Sequence, residues 1–135
     1  MIMPTITGFH HISLTVSDAA KSEQFYTNAF GFVRVLELED EGGRGFKRVL
    51  AHAESRTILG FTVHGSNDGS PFTEFRTGLD HFSFGVASRA ELDVWIAHFD
   101  ELGIEHSEVR TTPIGALMTV RDPDNIQVEL WANPA

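Results

Sequence analysis

Three residues far apart in this 135-residue chain have side-chain types that together could hold a metal ion with open coordination positions: His11, His81 and Glu129. The two histidines hold the same register in two near copies, residues 8–16 and 78–86. In these, Gly8 matches Gly78, His11 matches His81, Ser13 matches Ser83 and Val16 matches Val86. A repeated strand pattern belongs to any duplicated fold. A repeated imidazole is not needed for folding and points to a paired site, against the competing reading of two core histidines that merely satisfy their hydrogen bonds. Glu129 lies inside the apolar run 126–131, where a carboxylate is costly unless it is paired, protonated or bound to a cation; the competing reading is an edge strand with this side chain in water. Two neutral imidazoles and one carboxylate suit a divalent ion such as Zn, Fe, Mn, Ni or Co, and three protein ligands leave positions for substrate.

The first copy offers no fourth ligand. Stepping back 69 or 70 residues from Glu129 lands on Gly60 or Leu59, and neither coordinates a cation. His10 competes with His11 for the ligand position, because a strand register read one residue out exchanges the two faces. His52 sits in a strand whose orientation is open, Gln127 and Arg121 are candidates for holding a polar end of a substrate, and His64, His98 and His106 carry no assigned role.

Strands and helices must bring these residues together. In residues 9–16, Ile12, Leu14 and Val16 share one face and His11, Ser13 and Thr15 the other; in 79–86, Phe82, Phe84 and Val86 oppose His81, Ser83 and Gly85. Each strand leads into a helix. Ser17 or Asp18 caps the first, whose inner face is Ser22, Phe25, Tyr26, Ala29 and Phe30, and Gly31 ends it. A capping-box pattern at 88–91 starts the second, with Leu92, Trp95, Ile96, Phe99 and Leu102 inward and Gly103 at its end. Three β-like runs follow each helix, at 32–38, 46–52 and 57–63 and at 104–110, 116–121 and 126–131, with a flexible turn at 41–45. The expected class is α+β: two βαβββ modules, an internal duplication, forming a curved, incompletely closed, eight-stranded barrel-like sheet around a shared cavity. The chain reads as one domain over 1–135, with module one at 7–64, a linker at 65–77 and module two at 78–132.

Composition narrows the possible functions. The absence of cysteine excludes disulfides, thiolate metal sites and cysteine nucleophiles. Ten Lys and Arg against nineteen Asp and Glu leave a net charge of −9, which argues against a nucleic-acid partner, and the acidic run 37–41 reads as a solvated hairpin end. No run approaches the ~18 apolar residues of a membrane span, so no membrane partner and a cytoplasmic location are expected. Eleven Phe against one Tyr build either a plain core or an apolar pocket.

With these residues in place, the chain resembles the vicinal oxygen chelate superfamily, which includes glyoxalase I, bleomycin-resistance proteins, fosfomycin-resistance thiol transferases and extradiol dioxygenases. The family's opening pattern, His-x-x-Leu-x-Val-x-Asp followed by Phe-Tyr and Leu-Gly-Phe, is matched by His11, Leu14, Val16, Asp18, Phe25, Tyr26 and the run 30–32. Its closing Asp-Pro-Asp-x-Asn turn and hydrophobic-Glu-hydrophobic strand are matched by 122–125, one residue shorter, and by 128–130. The resemblance implies paired βαβββ units, a homodimer, a small-molecule substrate, and a divalent ion on His11, His81 and Glu129 with Glu129 also catalytic. It implies a metal-dependent lyase, dioxygenase or thiol transferase that binds two adjacent substrate oxygens. Gly60 or Leu59 stands where glyoxalase I proteins carry a fourth ligand, a departure that favours the three-ligand branches. The alternative is a metal-free protein that sequesters a drug, as bleomycin-resistance proteins do.

Overall fold

A computed structural model describes residues 2–39 and 45–135. Asp18, not Ser17, caps the first helix: its carboxylate accepts the backbone N–H groups of Ala20 and Lys21, and helix α1 runs from Ala19 to Phe30. Ser17 is drawn away because its N–H and hydroxyl both donate to Asp124 in the other module. Gly31 closes α1 at φ 82°, a left-handed conformation that a side chain would disfavour. Helix α2, Arg89–Leu102, starts on the Ser88 side chain and ends at Gly103 in the same way.

The fold class is α+β with the expected duplication. β1 (Ile12–Thr15), β2 (Val33–Glu39), β3 (Gly45–His52) and β4 (Thr57–His64) form one sheet in the order β1-β4-β3-β2. β5 (Phe82–Val86), β6 (Arg110–Thr112), β7 (Gly115–Arg121) and β8 (Gln127–Ala132) form the other in the equivalent order β5-β8-β7-β6. The eight strands thus divide into two four-stranded sheets with neither closed on itself. Most of the expected turn at 41–45 and part of the acidic run lie outside the described residues.

β6 lies beyond the strand expected at 104–110: the two share only Arg110, and within 104–109 there is just an isolated bridge from His106 to Val120. Side chains replace ladder bonds there: the Ser107 hydroxyl, in place of a backbone carbonyl, accepts the N–H of Thr119, and the His106 ring bonds the Ser107 carbonyl and the Asp100 carboxylate. Those two contacts, the carbonyl first, hold the His106 imidazole above its ordinary pKa.

One apolar core spans both modules. Phe30, at the end of α1, packs its ring against Phe99 of α2 and Phe84 of β5, and the His98 ring bonds the Ala29 carbonyl. The Phe surplus therefore builds core through Phe30, Phe32, Phe61, Phe82 and Phe99, all buried. The single Tyr has a different task. Its hydroxyl donates to Asp122 at 2.8 Å, across the module boundary, and that carboxylate also accepts the N–H groups of Asp124 and Ile126. Burial, reinforced by the Asp122 charge, pushes the Tyr26 pKa far up, and burial also raises that of Asp122. Tyr26→Phe strips a donor from a buried carboxylate, so urea denaturation should show a loss of about 1–3 kcal/mol with little change in fold.

Candidate functional site

Glu129 sits mid-strand in β8, paired in parallel with Ser83 of β5 and antiparallel with Thr119 of β7. Its neighbours Val128 and Leu130 are buried toward the helices, so strand alternation sends the carboxylate to the opposite face with Gln127. Its side chain is only 7% exposed, yet among the described residues the one basic side chain within ion-pair distance is His81. His81 lies immediately before β5, with Nε2 3.1 Å from Glu129 Oε1. Ser83 Oγ donates to the same oxygen at 3.0 Å, and Gln127 reaches the other at 3.4 Å. On the far side of the imidazole, Asp80 holds Nδ1 at 2.7 Å. That bond places a proton on Nδ1 and leaves the Nε2 lone pair facing Glu129 when the ring is neutral.

Two ligand atoms bound at about 2.1 Å and at right angles on one ion lie about 3.0 Å apart. His81 Nε2 and Glu129 Oε1 already have this separation. The pair therefore fits two adjacent ligands of a divalent ion.

The first module repeats the arrangement without its carboxylate. β1 pairs in parallel with β4, and Ser13, the counterpart of Ser83, lies opposite Gly60. Gly60 rather than Leu59 is thus the structural equivalent of Glu129, and an added Cβ there would come within 3.2 Å of Ser13 Oγ. His11 precedes β1 as His81 precedes β5, and His10 takes the place of Asp80: the two Nδ1 atoms are 2.9 Å apart, so one proton is shared between the rings. Both imidazoles are exposed. Among the described residues no three His, Asp or Glu side chains of one chain are grouped closely enough to hold an ion. The chain brings His81 and Glu129 together and leaves His11 apart, on the other sheet.

A family model described as the Glyoxalase/Bleomycin resistance protein/Dioxygenase superfamily matches residues 8–130. The chain belongs to this superfamily. Its fold superposes on a glyoxylase/bleomycin resistance protein/dioxygenase domain from Frankia sp. EAN1pec with a TM-score of 0.86 at 26% identity, covering 96% of this chain and 94% of that one. A fosfomycin resistance protein of Listeria monocytogenes, FosX, in complex with Mn(II) and 1S,2S-dihydroxypropylphosphonic acid, shares the fold at a TM-score of 0.71 and 23% identity, covering 96% of this chain and 93% of that one. In sequence the chain is 32% identical over 128 residues, 93% of its length and 97% of its relative's, to an uncharacterized protein, YwkD, of Bacillus subtilis (strain 168).

Within this superfamily scaffold the remaining polar candidates separate cleanly. Arg121 is already occupied: it pairs with Glu74 and bonds Gln127 Oε1 and the Asn125 carbonyl, so it orients Gln127 instead of offering a free cation. The Glu74 contact holds the guanidinium pKa up and the carboxyl pKa down. Asp80 and Ser83, neither given a role in the sequence, both touch the His81 and Glu129 pair. The signal for them was present in the repeat register, where Ser83 copies Ser13 and Asp80 flanks the duplicated histidine. No helix among the described residues is long and apolar enough to cross a membrane.

Proposed function

We propose that this chain is a metal-dependent enzyme of the glyoxalase/dioxygenase type, acting on a small molecule that presents two adjacent oxygens. The observation that carries the reading is the buried Glu129 carboxylate, matched to His81 Nε2 at ligand spacing and backed by Asp80. In this reading His81 and Glu129 are ligands from one subunit and His11 is supplied by a second copy, making the working form a homodimer. Support for a covering partner comes from β2, where Leu36 and Leu38 are 46% and 49% exposed. They pair with Val49 and Lys47, which in turn pair with Gly60 and Thr62. That places them on the same face as Gly60 and Ser13, turned away from α1.

A divalent ion bound there would act as a Lewis acid, stabilising negative charge that develops on a bound substrate oxygen. The chain's own residues have simpler tasks. Asp80 fixes the tautomer and tilt of His81; Ser83 and Gln127 steady the Glu129 carboxylate; the sheet behind them excludes water. In this reading Glu129, besides ligating the ion, is the group that exchanges a proton with the substrate.

Elemental analysis of protein expressed in metal-replete medium, together with its solution mass, tests this directly. One divalent ion per chain in a dimer is the expected result. A protein that stays metal-free and still binds a planar drug tightly would overturn the enzyme reading in favour of sequestration.

A further inference from the structure

On the reverse face of the same two strands lies a cleft unrelated to Glu129. Phe84 and Leu130 are partners across β5 and β8, and both point away from the carboxylate. With Trp95 of α2 and with Phe30 and Phe32 of module one they line a cavity of about 120 Å³ between the modules. These rings touch one another, with Phe30 and Trp95 centres 5.7 Å apart and those of Phe32 and Phe84 5.6 Å, so they form one continuous aromatic surface along the cleft.

One end of the cleft is polar. His52, Ser55 and Thr57 form its rim. The Ser55 N–H donates to His52 Nδ1 and the Ser55 hydroxyl lies 2.6 Å from the same atom. Because Nδ1 accepts, the neutral ring carries its proton on Nε2. Nε2–H has no hydrogen-bond partner among the described residues, so the rim offers a donor to a ligand oxygen.

We propose that this cleft is a second small-molecule site, one that takes a single aromatic ring bearing an oxygen acceptor, of the phenol class. The size is suitable: an apolar protein cavity of about 150 Å³ lined by Leu, Ile and Phe accommodates benzene. The aromatic surface that these side chains turn toward the cleft favours a π-system over a saturated ring of equal size. The Ser55 and Thr57 hydroxyls bond each other and His52 Nδ1, so the unpartnered Nε2–H is the rim's donor that favours an oxygen over a bare hydrocarbon. The proposal is independent of metal chemistry, since the cleft shares no lining residue with the His81 and Glu129 pair.

The chain's two tryptophans supply an internal control, because Trp95 lines the cleft while Trp131 lies on β8 outside it. Titrating phenol while following both indole N–H resonances by NMR should move that of Trp95 saturably, with a dissociation constant on the order of 1 mM, and leave that of Trp131 in place. Val86→Phe, at the cleft wall, should abolish the response. His52→Ala should weaken it several-fold, cyclohexanol should bind more weakly than phenol, and Glu129→Gln should leave it unchanged. Resonances that stay still, that both drift in proportion to phenol, or that respond equally in Val86→Phe overturn the proposal.

Discussion

Glu129→Gln should weaken divalent-ion binding by at least about a hundredfold while leaving the metal-free protein as stable as before or slightly more so. The two halves of this result have one cause. A nearly buried carboxylate whose one basic partner among the described residues is a histidine is a liability until a cation arrives, and glutamine removes the charge while keeping an oxygen for Ser83 to bond. Thermal or urea denaturation with and without metal reads both. In the wild type an ion at a hundred times its dissociation constant stabilises the folded state by about 2.7 kcal/mol; with affinity lowered a hundredfold, the same ion concentration gives about 0.4 kcal/mol. Were Glu129 only a structural hydrogen-bond acceptor, glutamine would keep that bond, and added metal would stabilise neither the variant nor the wild type. Asp80→Asn belongs to the same series: it leaves both ligands in place, and a loss of about 10–100-fold in ion affinity is the mark of a partner that only orients His81.

Why the sequence puts His81 and Glu129 on matching faces but does not show the separation of His11 from them follows from what periodicity encodes. Alternation along 126–131 puts Glu129 opposite Val128 and Leu130, and the duplication puts His11 and His81 at matching strand starts; the fold keeps both relations. The helix ends were equally local: Gly31 and Gly103 adopt the left-handed conformations their positions suggested. What alternation cannot encode is which sheet a face looks at. His11 and Glu129 lie on sheets that share no strand pairing, so nothing in either strand's pattern tells whether they meet in one chain or across two. The strand expected at 104–110 failed for a different reason, because there the Ser107 hydroxyl and His106 ring stand in for backbone partners and β6 forms only from Arg110 on. The choice of Asp18 over Ser17 as helix cap likewise depended on Asp124, a residue of the other module. Each miss lies where a long-range contact outweighs a local preference.

Mixing two inactive variants should restore activity if the site is shared between subunits. His11→Ala and Glu129→Gln each disable every site in their own homodimers, since each removes one ligand from both. Co-expressed in equal amounts they form homodimers and heterodimers in a one-to-two-to-one ratio. In a two-fold symmetric heterodimer both lesions fall in one site and the other recovers an intact His11, His81 and Glu129. Half the dimers then carry one working site of two, so the mixture should bind about a quarter of the wild-type complement of metal and show about a quarter of its activity. A site built within one chain gives the opposite result, because every chain in the mixture carries a lesion and neither metal nor activity returns. The geometry favours the shared arrangement: His81 and Glu129 stand 3.1 Å apart as a ready pair, His11 is exposed with only His10 beside it, and no third ligand joins the pair among the described residues of one chain. Exposed Leu36 and Leu38, on the sheet face turned away from α1, give the second copy apolar surface to cover.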